Sequence, residues 1–135
     1  MNGTIRTLLL TLLLSAIMPA IGQTAGKGAP TKVISHRGYW KTEGSAQNSV
    51  TSFLKADSIS SYGSELDVWL TADSVLIANH DRVFKGLAME TSLSGDILAT
   101  RLSNGEYVPS FEAILGAMRK TSATRLLSLI HISEP

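Results

Sequence analysis

The chain has no cysteine among its 135 residues. That excludes disulfides, and it excludes a lipid anchor on a cysteine after a leader. Charge of either sign is scarce: 12 basic and 11 acidic residues leave a net charge of +1, too little to point to a polyanion partner. Aromatic residues are 6% and do not interleave with basic ones, so nucleic-acid binding has no support. Long apolar runs are also missing. The longest uncharged stretch of this kind, Thr7–Met18, has twelve residues, against roughly 20 needed to span a bilayer. What remains, 44% hydrophobic and 17% charged, is the composition of one ordinary folded domain.

The N-terminus has the layout of a secretory signal peptide. Arg6 precedes the apolar run, Pro19 breaks it, and Ala20-Ile21-Gly22 places small residues where a signal peptidase reads. A leader over 1–22 with Gln23 as the mature N-terminus is expected, with Ala20 or Ala25 as alternative cleavage points and an uncleaved anchor as the rival reading. The product would be secreted or periplasmic, with no stable membrane anchor after cleavage. Removing 1–22 removes one charge, Arg6, and leaves 11 basic and 11 acidic residues. Residues 23–31 are a Gly/Ala/Pro-rich linker.

From Lys32 to His36 the chain is short, apolar and β-branched, a buried strand running into a polar loop. Asn48 is placed as an N-cap, and Val50, Phe53, Leu54 and Ile59 give helical spacing with Gly63 as the stop. Ser64–Leu70 and Val75–His80 read as strands joined too tightly for a parallel crossover, hence as a hairpin. Residues 81–108 are mixed. Pro109-Ser110 then opens a helix to about Lys120, with Phe111, Ile114, Leu115 and Met118 as its apolar stripe.

The hairpin gathers chemistry. A two-residue turn at Ala72-Asp73 would set Glu65 opposite His80 and Asp67 opposite Ala78. Glu65, Asp67 and His80 would then share a face, while Leu66, Val68, Leu70, Val75 and Ile77 line the other. Two carboxylates about 7 Å apart along a strand repel each other unless a cation sits between them, and hard oxygen donors suit Ca2+ or Mg2+. His36, ending the first strand, adds a second imidazole. Singly, each residue is as well explained by strand chemistry or a surface charge; together, on one face and at strand ends, they describe a site.

His36-Arg37-Gly38, Gln47-Asn48-Ser49, Glu65-Leu66-Asp67-Val68, Thr71-Ala72-Asp73 and His80-Asp81, with the stretch from Leu102 to Leu115, resemble the glycerophosphodiester phosphodiesterase family in order and spacing. The resemblance runs from about Lys32 to Lys120. It implies an α/β TIM-barrel fold of the phosphatidylinositol-phospholipase-C-like kind. The implied reaction is hydrolysis of a small-molecule glycerophosphodiester to sn-glycerol 3-phosphate and an alcohol. It also implies His36 and His80 as general acid and base, Arg37 on the phosphate, and Glu65 and Asp67 on a divalent metal, Ca2+ or Mg2+. In such enzymes the glycerol hydroxyl attacks first and water then opens a cyclic phosphate.

Two features depart from the family's pattern. Gln47 stands where a Glu is usual, keeping hydrogen bonding but losing a charge, so it is left out of the metal site. The strand beginning at Thr124-Arg125-Leu126 is not followed by the family's Glu-x-Lys; instead 127–135 reads LSLIHISEP, a non-native tail resembling translated adapter sequence. The expectation is therefore the N-terminal part of a barrel over 32–126, truncated after its first three to four strands and inactive alone, since a TIM barrel takes roughly 250 residues. Two rivals share the residues: a related phospholipase acting on lipid headgroups, and a non-catalytic binding module on the same fold.

Overall fold

The computed structural model of the protein describes residues 29–121 and 124–131. The expected signal peptide, 1–22, and residues 23–28 of the expected linker lie outside the described residues. The chain divides between Thr31 and Lys32 into two units, and the architecture below is that of the second. No helix among the described residues is long and apolar enough to cross a membrane.

The second unit is mixed α/β, with parallel strands separated by helices. Strand β1 (Ile34–Ser35) lies parallel to β2 (Gly63–Leu70), with helix α1 (Val50–Ser58) between them in the chain. Ser49, not Asn48, caps α1: its hydroxyl accepts from the Ser52 amide at 3.0 Å. Asn48 adopts φ +56°, a left-handed conformation that Asn tolerates better than most residues, and its side chain is used elsewhere. The helix stops earlier than the expected Gly63, at Ser58, where Ser60 turns the chain at φ +56° and Gly63 already begins β2.

Strand β3 (Leu76–Ala78) pairs antiparallel with β2, and the hairpin differs by one residue from the expected register. Val68 faces Ala78, Trp69 faces Ile77 and Leu70 faces Leu76. The cause is Ser74, which takes φ +62° and lengthens the turn to three residues, closed by Ser74 N–H to Thr71 O at 2.9 Å and Thr71 N–H to Val75 O at 3.0 Å. Asp73 at the tip accepts from the Ser94 hydroxyl, the Thr71 hydroxyl and the Ser94 amide, which hold its carboxyl down at about 2.

The shift redistributes the two faces of β2. Leu66 and Val68 pack with Ala78, Phe53 of α1 and Ile114 and Ala117 of a later helix. Ile77, expected on that face, lies instead with Trp69 against Met89, Ile97, Leu102 and Val108. Apart from Ala46, Trp69 and Ile77, the buried residues of this second cluster come from residues 79–110. There a tight hairpin, β4 (Val83–Phe84) and β5 (Leu87–Ala88), precedes the short helix α2 (Ser94–Leu98). Helix α3 (Phe111–Met118) follows, capped by the Ser110 hydroxyl accepting from the Ala113 amide at 3.1 Å.

Strand β6 (Arg125–His131) runs parallel to β2 from Gly63↔Arg125 to Trp69↔His131. Residues 127–131 of the expected tail thus lie within a strand, and 132–135 lie outside the described residues. Since β6 follows one whole edge of β2, β1 and β3 share the other: β1 takes residues 63–64 and β3 takes 68–70. The stretch between them carries Glu65 and Asp67.

Candidate active site

The site forms where β1 leaves β2 before β3 arrives. Ser35 lies beside Ser64, and the parallel register carried one residue on sets His36 level with Glu65. The backbone then reverses through Arg37 (φ +57°) and Gly38 (φ +78°). Glycine is required at the second of these: a Cβ there would lie 2.3 Å from Ser52 Oγ on α1. The reversal turns the Arg37 amide onto the sheet, where it donates to Glu65 Oε2 at 2.9 Å. His36 Nε2 lies 4.0 Å from the same oxygen, on a side chain 70% exposed.

The Arg37 side chain folds inward. Its Nη1 donates to Gln47 Oε1 at 3.0 Å, and its Nε lies 3.5 Å from Asp67 Oδ2. Asp67 is buried, 4% exposed, and needs partners for its charge. The Asn48 amide supplies two contacts at once: Nδ2 donates to Asp67 Oδ2 at 3.0 Å and Oδ1 accepts from the Asp67 backbone N–H at 3.2 Å. The Asn48 N–H in turn donates to Arg37 O at 3.1 Å.

The Asn79 N–H donates to Asp67 O at 3.1 Å, which puts His80 one residue beyond the level of Asp67. His80 Nδ1 lies 2.8 Å from Asp81 Oδ1. An ionised carboxylate only accepts, so Nδ1 carries the proton and Nε2 is the nitrogen left to exchange one. Expected opposite Glu65, His80 in fact lies beyond the end of β3 and is oriented by its neighbour.

The structure therefore brings His36, Arg37, Glu65 and Asp67 into one cluster, while His80 lies just beyond β3 with its ring against Asp81. Glu65 and Asp67 present hard oxygen donors, but no group of three or more His, Cys, Asp or Glu able to hold a metal occurs among the described residues. The pair fits part of a site for a hard cation: Mg2+ binds through one or two carboxylates and completes its shell with water and substrate phosphate.

Sequence reasoning missed three contributors. In sequence, a capping Asn and a left-handed Asn before a capping Ser look alike, so Asn48 passes for a helix cap. Gln47 lacks the charge of a metal ligand, yet its carbonyl holds Arg37. Asp81 adjoins His80, and a carboxylate next to a histidine is itself the signal for an oriented imidazole.

Comparison with known proteins bears on this geometry. No protein-family model and no curated protein matches the sequence. Solved structures do. A glycerophosphodiester phosphodiesterase from Parabacteroides distasonis is 44% identical, with a TM-score of 0.75, over 77% of this chain and 44% of its own. A glycerophosphodiester phosphodiesterase from Agrobacterium tumefaciens is 25% identical, with a TM-score of 0.58, over 73% of this chain and 47% of its own. An Oleispira antarctica phosphodiesterase, solved in complex with the product sn-glycerol-3-phosphate, shares the fold at 19% identity and a TM-score of 0.58, over 75% of this chain and 45% of its own. The chain spans less than half the length of each of these proteins.

Proposed function

The chain belongs to the glycerophosphodiester phosphodiesterase family, and on that premise we propose that the whole protein hydrolyses glycerophosphodiesters to sn-glycerol 3-phosphate and an alcohol. Its fold on this reading is a TIM barrel to which β1, β2 and β6 contribute parallel strands. The observation that carries the reading is the meeting of His36, Arg37, Glu65 and Asp67 where β1 ends against β2. Active sites of such barrels are built at the carboxyl ends of their strands.

A phosphodiester anion repels nucleophiles until its charge is neutralised. Glu65 and Asp67 would hold a divalent cation, Ca2+ or Mg2+, which supplies that neutralisation when bound. Arg37 adds a fixed positive charge at the same place: with Nη1 on Gln47 and Nε facing Asp67, its remaining N–H groups would meet a phosphate oxygen. The attacking hydroxyl must lose a proton and the departing alkoxide must gain one. His36, largely exposed beside Glu65, and His80, oriented through Nδ1, would exchange them.

The reading is tested by incubating the whole protein with glycerophosphocholine and assaying sn-glycerol 3-phosphate. Product formation that stops on chelation and resumes with Mg2+ or Ca2+ is expected. Absence of turnover of several glycerophosphodiesters at saturating cation would contradict it. We propose also that the protein acts outside the cytoplasm, secreted or periplasmic, on the strength of the uncharged Thr7–Met18 run and the small residues after it. Mass spectrometry of exported protein beginning near Gln23 is the expected outcome; an intact Met1 would oppose it.

A further inference from the structure

We infer that Asn48 is a positioning residue for the Asp67 carboxylate, fixing the orientation in which Asp67 is offered to a divalent cation; this rests on the reading of Asp67 as a cation ligand. A carboxylate on a strand can rotate about two side-chain bonds, and a cation site is weak until that rotation is suppressed. Asn48 suppresses it from one side by gripping both the Asp67 amide and Oδ2, at 3.2 and 3.0 Å. Both residues are more than nine-tenths buried, Asn48 at 2% exposure and Asp67 at 4%. Water therefore does not easily replace the amide, and the bond acts in surroundings where it is stronger than at a surface.

The grip is built into the backbone. Asn48 reaches Asp67 because it sits at φ +56° immediately before the helix cap Ser49, and its own N–H is tied to Arg37 O. Arg37 closes the circuit: its amide donates to Glu65 Oε2 and its Nε faces Asp67 Oδ2. Through its main-chain N–H and its side-chain amide together, Asn48 thus ties the loop after β1 and the start of α1 to the carboxylate of β2. Few residue types serve here, because the position demands a left-handed backbone, a donor and an acceptor together. Asparagine meets all three. Aspartate lacks the donor, and glycine keeps the backbone but lacks both.

That difference makes the role separable from folding. Asn48→Gly retains the backbone and the Ser49 cap while removing the grip. Asn48→Gly is expected to raise both the Mg2+ dissociation constant by calorimetry and the Mg2+ concentration for half-maximal turnover, each by about 10- to 100-fold, the usual cost of losing a partner of a metal ligand. A merely structural role would lower the amount of active protein without moving half-saturation. Asn48→Asp, which keeps the shape and the acceptor, should not restore turnover. Asp67→Asn is the control. Loss of Mg2+ binding in Asp67→Asn with parental half-saturation in Asn48→Gly would overturn the positioning role and leave the reading of Asp67 intact. Parental Mg2+ binding in both would overturn the two together.

Discussion

His36 and His80 are positioned by different means. His36 is placed by strand register, one residue past Ser35, and is held loosely: its ring lies 4.0 Å from Glu65 and is mostly exposed. His80 is placed by the end of the hairpin and held tightly, 2.8 Å from Asp81. Replacing either with Ala is expected to lower turnover at least ~10²-fold at saturating cation, the scale of a general acid or base. Asp81→Asn should lower it less, because the ring remains but is no longer held by a carboxylate. Steady-state kinetics of the three variants checks both statements; full turnover by both His variants would remove them from the chemistry. The sequence singled out His36, Arg37, Glu65 and Asp67 by type and spacing, and the structure brings these four together. The residues that hold them could not be singled out in this way. An amide such as Asn48 or Gln47 has many structural uses, and which one applies is decided by a backbone angle that the sequence does not display.

At the level of elements, caps and turns decide where each side chain points. Ser49 caps α1 and thereby leaves Asn48 free to face β2. Ser49→Ala should destabilise the protein by ~1 kcal/mol, read as a lower midpoint in urea. The hairpin turn is a second such point. Its one extra residue, admitted by the left-handed Ser74, moved Ile77 from one face of the sheet to the other. Alternation of apolar and polar residues predicted a hairpin correctly, but both faces of β2 turned out to be packed near its end, so polarity could not choose the register. Asp73 secures the turn. Its carboxyl lies at about 2 in the fold against 3.8 ordinarily, so its stabilisation is complete above about pH 4 and disappears as pH falls towards 2. Asp73→Asn should therefore lower the melting temperature near neutral pH, and the gap from the parent should narrow between pH 4 and pH 2. A gap independent of pH would mean that the carboxylate charge contributes nothing.

On the scale of the whole molecule, β2 separates two jobs. Leu66 and Val68 bind the helical layer through Phe53, Ile114 and Ala117, while Glu65 and Asp67 stand on the opposite face. Ile114 is 1% exposed; Ile114→Ala should cost ~2–5 kcal/mol by denaturant unfolding of the whole protein. The α/β class was legible from strand and helix patterns in order, and the family from motif spacing. The packing of residues 79–110 over Trp69 was not, because its short elements depend on tertiary contacts rather than on periodicity. We propose that the carboxylates of β2 hold the cation on which diester hydrolysis depends. It is tested most directly by titrating Mg2+ into metal-stripped parent, Glu65→Gln and Asp67→Asn while following release of sn-glycerol 3-phosphate from glycerophosphocholine. The parent should gain activity with saturation, and both variants should need far more Mg2+ or fail to respond. Equal activity of all three in the presence of a chelator would contradict the account.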